Sequence, residues 1–518
     1  MQESASTTPK ELEVKLEVDP TGLPALNKIP LFRTLKAAPT RSAEVSVYFD
    51  TDKQKLRKKG LMLRVRRKGG RYIQTIKASN AGLFERDEWE AEIAGKEPDL
   101  SQANGTALEP WLSHKLRRRL KPLFETRVRR TIYPVVDEAR AIALTVDRGT
   151  LDTGSHSLPL CEIELELDRG TVTELFDVAR QVVRALPARL ALKSKSERGY
   201  EIIDGKLETP VKAAPIDLPA GANTRDAFKM IGLGCLKQII NNEAALIRGD
   251  PEGVHQMRVG LRRLRAATSL FAVLLRDPQT ATMKAELKWL AGELGPAREL
   301  EVLVNRVAAP MKSQRRRWGG MPSLSRKLAE RREAALTQAQ DAVKSGRFRA
   351  LTLETAAWLQ AGLWTNPEDD LVHDQGDRPI AVFAVEQLTR RWRKVRKKGK
   401  ALAQLDAPSR HKLRIQAKKL RYAAEFFAGL FARRRAVKRR KQFLNALGRL
   451  QNGLGDLNDI AVHEKRIAAI GIRRQRSNPS RAFAAGLLTG LEDARIGPAM
   501  IVATEAYADF AKVKPFWR

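Results

Sequence analysis

One stretch of this 518-residue chain occurs twice, and that repetition limits the possible folds more than any other feature. The first copy is His255-Gln-Met-Arg-Val-Gly-Leu-Arg-Arg-Leu-Arg265 and the second is His411-Lys-Leu-Arg-Ile-Gln-Ala-Lys-Lys-Leu-Arg421. At about 100° per residue, His255, Arg258, Arg262 and Arg265 fall within roughly 80° of one another on a helix. Met257, Leu261, Leu264 and Phe271 form an adjoining apolar stripe, as a half-buried helix requires. Leu413, Ile415, Ala417 and Leu420 play that part in the second copy. One such stripe is an ordinary solvated face, but two with the same spacing and a histidine at the same place argue for a shared purpose. The copies are 411 − 255 = 156 residues apart. Each is followed by a second matched element, Leu294-Gly-Pro-Ala-Arg-Glu-Leu300 and Leu454-Gly-Asp-Leu-Asn-Asp-Ile460, offset by 454 − 294 = 160 residues. Two similar offsets in the same order predict two helical bundles related by a pseudo-twofold axis, each giving one basic helix to a common surface.

The charge distribution agrees. The chain has a net charge of +35, from 95 Lys and Arg against 60 Asp and Glu. Residues 1–210 hold 37 basic and 31 acidic residues, leaving 95 − 37 = 58 and 60 − 31 = 29 for the remainder, a net of +29. The C-terminal part therefore carries the positive field and should attract a polyanion. Aromatic residues make up only 6% of the chain, and no base-stacking or groove-reading module is evident, which argues against nucleic acid as the partner. With only Cys161 and Cys235, neither a disulfide framework nor a thiolate metal cluster is expected. No apolar run approaches the roughly 18 residues of a membrane span. Met1–Lys10 has no apolar core of a secretory signal, so a cytoplasmic setting is expected.

The N-terminal part follows a different period. Glu11-Leu-Glu-Val-Lys-Leu-Glu17 alternates charged and apolar residues, sending Glu11, Glu13 and Lys15 to one strand face. The alternation returns in Leu61–Arg66, with Arg64 and Arg66 on one side, and in Tyr72–Lys77, ending on Lys77. Arg86, Glu88 and Glu90 share a face, as do Arg127 and Arg129, and Ala141–Asp147 ends in an acid. Cys161–Glu166 aligns Glu162, Glu164 and Glu166. Strand after strand with one apolar and one charged face predicts a closed sheet with a charged lumen, covered outside by helices at Leu23–Leu35 and Val172–Leu186. In such a lumen carboxylates can hold a hard divalent ion, and Lys and Arg can grip phosphate oxygens.

These segments carry a resemblance. Glu11-x-Glu13-x-Lys15, Tyr48-Phe-Asp-Thr51, Arg64-Val-Arg66, Thr75-Ile-Lys77, Asp147, Glu162-Ile-Glu-Leu-Glu166 and Lys195-Ser-Glu-Arg-Gly-Tyr200 stand in the order found in CYTH domains, the triphosphate tunnel metalloenzymes. The resemblance covers residues 9–205 and implies an eight-stranded antiparallel tunnel that hydrolyses a triphosphate with Mg²⁺ or Mn²⁺. It implies metal ligands among Glu11, Glu13, Asp147, Glu162, Glu164 and Glu166, without saying which of the last three binds. Phosphate is expected on Lys15, Arg64, Arg66, Lys77, Arg86, Arg127 or Arg129, and Lys195. Glu11, Glu13, Lys15, Glu88, Glu90 and Asp147 are the candidates for catalysis.

Residues 224–510 resemble a CHAD domain, whose His-x-x-Arg motif with trailing basic residues is matched in both copies of the repeat. That resemblance implies binding of inorganic polyphosphate along a basic groove. The candidates are His255, Arg258, Arg262, Arg263, Arg265, Arg298, His411, Arg414, Lys418, Lys419 and Arg421. Zinc is not expected, because neither histidine has a second ligand at i+4. The basic run Arg433–Lys441 is a solvated helix surface unless the fold places it beside the twin stripes.

The expected protein is thus an α+β multidomain chain. It has an N-terminal antiparallel eight-stranded β tunnel with covering helices (1–205), a Pro-rich linker (206–222) and a C-terminal all-α pair of pseudo-twofold-related helical bundles (223–518). The expected activity is inorganic triphosphatase, joined to a module for long-chain polyphosphate, with polyphosphate granules as an expected site of association. The competing expectation is a non-catalytic polyphosphate-granule scaffold.

Overall fold

Alternating strands built from β-branched and aromatic residues close on themselves when the first can pair with both neighbours, and the computed structural model of the protein shows that closure. It describes residues 10–33, 35, 37–78, 84–305, 321–471 and 479–518; at 10, 11, 85, 86, 468, 470 and 471 the description covers the backbone alone. The chain forms two compact units, residues 1–209 with 344–362, and residues 210–343 with 363–518.

In the first unit, β1 (Lys10–Glu17), β2 (Thr40–Asp50), β3 (Leu61–Lys68), β4 (Arg71–Ala78), β5 (Glu85–Ile93), β6 (Lys121–Val136), β7 (Ala141–Asp152) and β8 (Ser157–Arg169) make an antiparallel sheet in the order β5-β4-β3-β2-β6-β7-β8-β1. Pairing of Leu12 with Glu85 and Glu11 with Arg86 joins β1 to β5 and closes the tunnel. A three-residue strand, β9 (Arg189–Ala191), pairs with the rest of that β1 edge, so nine strands share the sheet although eight form the wall.

The apolar parity of β1 and β8 faces outward, under α1 (Val172–Ala185). A capping box starts this helix: Thr171 Oγ1 accepts from the Glu174 N–H, and the Glu174 carboxylate accepts from Thr171 N–H. Outside β2–β5, the residues after β5 cover Phe49, Leu63, Val65 and Ile76 with Leu108 and Leu116. The helix expected over Leu23–Leu35 is instead a 3₁₀ stretch, Pro20–Lys28, and a single turn, Pro30–Arg33. Pro24 and Pro30 remove the amide donors a continuous helix would need. α2 (Lys195–Ile203) follows β9, again with a capping box, from Ser194 and Glu197.

Tyr200 of α2 donates to Asp50 Oδ2 at 3.0 Å, and Asp50 also accepts from the Thr51, Leu56 and Arg57 amides. A Cβ at Gly199 would lie 2.4 Å from the Phe124 ring, so only glycine lets this helix approach β6 so closely. The Tyr-Phe-Asp-Thr and Lys-Ser-Glu-Arg-Gly-Tyr motifs are thus largely one structural tie. Residues 206–222 contain neither helix nor strand, and Asn242 fixes them by bonding both the N–H and the C=O of Val211 at 2.9 Å.

The second unit is helical throughout its regular elements: α3 (Thr224–Ile240), α4 (Pro251–Leu270), α5 (Pro278–Glu293), α6 (Gly295–Leu303), and later α8 (Ile380–Gly399), α9 (Ala407–Phe426), α10 (Arg434–Gly471), α11 (Pro479–Asp493) and α12 (Ile496–Lys512). Between these, α7 (Gly346–Ala361) belongs to the first unit, where it packs on α1 and Glu354 accepts two bonds from Arg180 at 2.8 and 2.9 Å. The repeated helices start alike, on Asp250 and Asp406 as N-caps. They also end alike. Phe271 and Phe427, 156 positions apart, meet in the core at 6.1 Å, and both pack on Phe383. No helix among the described residues is long and apolar enough to cross a membrane.

Candidate functional site

Strand register decides which charges meet in the tunnel. Directly paired residues share a face. Glu13 pairs with Glu166, Lys15 with Glu164, Asp147 with Glu162, and Arg130 with Asp147. Across the tunnel, Tyr48 pairs with Arg64, Ser46 with Arg66, Lys77 with Glu88, and Thr75 with Glu90. These faces enclose a cavity of about 530 Å³ lined by Glu13, Lys15, Arg64, Arg66, Lys77, Glu88, Glu90, Arg130, Glu164, Glu166 and Lys195 among others.

At one end, carboxylate oxygens of Asp147, Glu162 and Glu164 lie within 4.8 Å of one another. Asp147 and Glu162 are buried, whereas Glu164 opens to the cavity. Lys195 reaches all three from α2, at 2.9 Å from Asp147 and from Glu164 and in contact with Glu162. Arg130 makes a bidentate pair with Asp147, at 2.7 and 2.8 Å, and approaches Glu164 at 3.3 Å. Burial alone would raise the Glu164 pKa, but Lys15, Lys195 and Arg130 overcome it and hold the carboxyl well below its usual range. Asp147 is also lowered, with Lys195 and Arg130 outweighing burial. Burial opposes the Lys195 charge, yet the three carboxylates raise its pKa well above that of a free lysine.

On the β3–β5 wall the cations are shared among Glu88 and Glu90, and Arg66 also approaches Glu44. Lys77 lies 2.6 Å from Glu88, Arg66 lies 3.0 Å from Glu90, and Arg64 donates to Thr75 Oγ1 at 3.1 Å. An all-oxygen donor set of three converging carboxylates suits a hard divalent ion such as Mg²⁺ or Mn²⁺, which would replace the Lys195 ammonium among them.

Two expectations fail on geometry. Arg127 and Arg129 are exposed on the outer face of β6, and Arg127 pairs there with Glu125. Arg130 is the β6 cation that enters the tunnel. The reason is parity: β6 turns Phe124, Thr126 and Val128 inward with Arg130, so on this strand the apolar face points to the lumen. The side chains of Glu11 and Arg86 lie outside the described residues. Sequence reasoning missed Arg130, the buried Glu44 that receives Arg66 at 3.6 Å and Arg130 at 3.8 Å, and Arg198, which contacts Glu162. Arg198 had a signal, since it lies in the Lys195–Tyr200 motif; Glu44 had none beyond strand parity.

In the helical unit the twin stripes face the same region. α4 packs on α9, and Lys419 donates to Ser269 Oγ at 3.1 Å between them. Arg258, Arg262 and Arg414 all repel the Lys418 ammonium, which burial and these neighbours push down to about 7. Burial likewise lowers Arg258 and Arg414. The Nε atoms of Arg262 and Arg414 are buried with no hydrogen-bond partner.

The second motif of each repeat borders these arginines, tightly at Gly295 and with ordinary contact at Gly455. A Cβ at Gly295 would sit 3.2 Å from an Arg258 terminal nitrogen, and one at Gly455 3.9 Å from Arg414 Nε. His411 is exposed and shares a 2.5 Å hydrogen bond with Asn458. His255 is half-buried, and burial together with Arg298 lowers its pKa. Arg263 does not join the stripe: it is buried, with its guanidinium over the Phe426 ring at 5.4 Å. Arg265 is exposed, and Lys419 faces Arg391 and Lys394 of α8.

Fold and site together define a chain with a β tunnel lined by charged side chains and a separate helical unit built on a doubled cationic helix. Residues 9–200 match the CYTH domain family and residues 231–468 the CHAD domain family, so the chain carries a CYTH domain followed by a CHAD domain. It is 28% identical over 205 residues to an inorganic triphosphatase of Haemophilus influenzae, an alignment covering 37% of this chain and 54% of that protein. The chain thus spans about half the length of the curated relative it matches. Among solved structures, the CHAD domain from Ricinus communis is 29% identical, with a TM-score of 0.49 over 58% of this chain and 96% of that one. A Hippeastrum protein described as a putative adenylyl cyclase with a dominant triphosphatase activity is 16% identical, with a TM-score of 0.29 over 38% of this chain and 96% of its own.

Proposed function

We propose that the tunnel hydrolyses inorganic triphosphate with a divalent metal ion and that the helical unit binds inorganic polyphosphate. The observation that carries the first part is the convergence of Asp147, Glu162 and Glu164 at one end of a cavity walled by Lys15, Arg64, Arg66, Lys77, Arg130 and Lys195. Asp147, Glu162 and Glu164 would hold Mg²⁺ or Mn²⁺, with Glu13 and Glu166 beside them along β1 and β8. The ion would supply charge neutralisation on the phosphoryl oxygens. Arg64, Arg66 and Lys77 orient the chain of phosphates, and Glu88 and Glu90 hold those cations in place. Water adds to the terminal phosphorus as the bridging P–O bond breaks, giving orthophosphate and pyrophosphate. An ionised Glu164 is ready to bind metal at neutral pH.

The second part is supported by half-buried cations on α4 and α9, of which Arg262 and Arg414 have a buried Nε without a hydrogen-bond partner. A flexible string of phosphates offers them bidentate oxygen acceptors without needing a nucleobase. Polyphosphate granules of the cytoplasm are the proposed setting. The test measures orthophosphate release from tripolyphosphate with Mg²⁺ or Mn²⁺, and polyphosphate binding by calorimetry. Loss of release in Glu164→Gln, with binding kept, supports the reading. A wild-type protein that releases no phosphate with either metal refutes the hydrolase.

A further inference from the structure

The basic run before and at the start of α10 has no part in either site described above. The structure gives one of its members a place. Arg439 borders a cavity of about 950 Å³ in the helical unit, which Arg421 reaches from α9 and Lys512 and Lys514 reach from the end of α12. The floor is the polar face of α10, where Asn445, Arg449 and Asn452 recur at helical spacing.

Among the described residues, neither a carboxylate nor an aromatic ring lines this cavity. Glu425 pairs with Arg421 at 2.8 Å and Asp509 with Arg449 at 3.1 Å, both from outside the lining. Arg439, Lys512 and Lys514 have no carboxylate partner among the described residues. A concave surface with uncompensated cations focuses positive potential. The absence of stacking rings in its lining disfavours a nucleobase, while the amides can bond phosphate oxygens.

The position is as informative as the composition. His411, Arg414, Lys418 and Arg421 follow one another at intervals of three, four and three on one face of α9, so Arg421 ends the stripe where this cavity begins. Gly448 borders the same place, where even a Cβ would make only ordinary contact, 3.7 Å from an Arg421 terminal nitrogen. A helical rise of 1.5 Å per residue puts Arg421 about 10 Å along the axis from Arg414. An occupant of both places must therefore be extended. Lys512 and Lys514 lie beyond residue 468, where the CHAD match ends, and the first repeat breaks into α5 and α6 where α10 runs on.

We propose that this cleft is a second station for inorganic polyphosphate, engaged by chains long enough to continue past Arg421, and that it makes the helical unit selective for long chains. This rests on the reading of the twin stripes as a polyphosphate site. The test compares the full chain with Arg439→Gln/Lys512→Gln/Lys514→Gln and with Arg258→Gln/Arg414→Gln, titrating long-chain polyphosphate and tripolyphosphate at several salt concentrations in EDTA. Removing three phosphate contacts should lower long-chain affinity about tenfold and reduce the slope of log affinity against log salt by about 2. Tripolyphosphate binding should not change in the cleft variant. Unchanged long-chain affinity, or an equal loss for both ligands, overturns the proposal. If the stripe variant keeps full long-chain affinity while the cleft variant loses it, the stripe reading fails and the continuous track fails with it. If only the stripe variant loses affinity, the stripe reading stands and the cleft proposal falls.

Discussion

Replacing Arg130 with Gln should damage the tunnel, whereas the same change at Arg127, three residues away, should not. The Arg130 side chain is 16% exposed and its bidentate partner Asp147 is fully buried. Removing one member of a buried pair costs about 3–5 kcal/mol in general. Here Lys195 remains 2.9 Å from Asp147 and keeps part of the compensation, so a loss of about 2–3 kcal/mol is expected. Arg127 is 66% exposed and pairs with Glu125, a surface contact worth about 0–1 kcal/mol. Loss of the cation that positions Asp147 and Glu164 should lower kcat by roughly 10²-fold in Arg130→Gln. Arg127→Gln should stay within about twofold.

The stability effect has a pH signature. Asp147 has a lowered pKa in the folded protein, so its contribution is present above the unfolded value of about 3.9 and is lost as pH falls through the folded one. Without Arg130 the folded pKa rises, and the stabilisation at neutral pH shrinks. Urea midpoints for wild type and variant should therefore differ most near neutrality and converge in acid. Phosphate release from tripolyphosphate gives the kinetic comparison. Equal losses at Arg127 and Arg130, or wild-type kcat in Arg130→Gln, would refute the parity argument.

Three further outcomes follow from the same contacts. Tyr200→Phe leaves buried Asp50 one donor short and should destabilise the first unit by about 1–3 kcal/mol in urea unfolding. Gly199→Ala drives a methyl into Phe124 and should cost about 1–3 kcal/mol, with a lower Tm. Lys418 has a folded pKa pushed down to about 7, below its unfolded value, so between these values the unfolded chain binds more protons and stability rises with pH. Lys418→Met should flatten that rise between pH 7 and pH 10 and stabilise the protein at neutral pH by about 1–4 kcal/mol, while weakening polyphosphate binding.

Much of this was legible in the sequence, because period and spacing are backbone properties. Alternation in β1, β3, β4 and β8 placed Glu13, Lys15, Arg64, Arg66, Lys77, Glu164 and Glu166 on the cavity wall. The 156-residue repeat anticipated a pair of basic helices, and the structure adds that Phe271 and Phe427 at their ends meet in the core. What failed was polarity. On β6 both parities contain arginine, and nothing local says that Val128 turns inward while Arg127 and Arg129 face solvent. Arg263 failed for another reason: at about 100° per residue it lies a full step off the stripe from Arg262, and its guanidinium packs over the Phe426 ring in the core. Pro24 and Pro30 did signal that Leu23–Leu35 could not be a continuous helix.

The most direct test of the central claim is orthophosphate release from tripolyphosphate by the intact protein and by Glu164→Gln, with Mn²⁺ binding measured by calorimetry on the same samples. The tunnel account predicts metal-dependent release by wild type and, in the variant, weaker Mn²⁺ binding together with a rate reduced by about 10² or more. Metal-independent release, or a Glu164→Gln protein that binds Mn²⁺ and turns over like wild type, would contradict it.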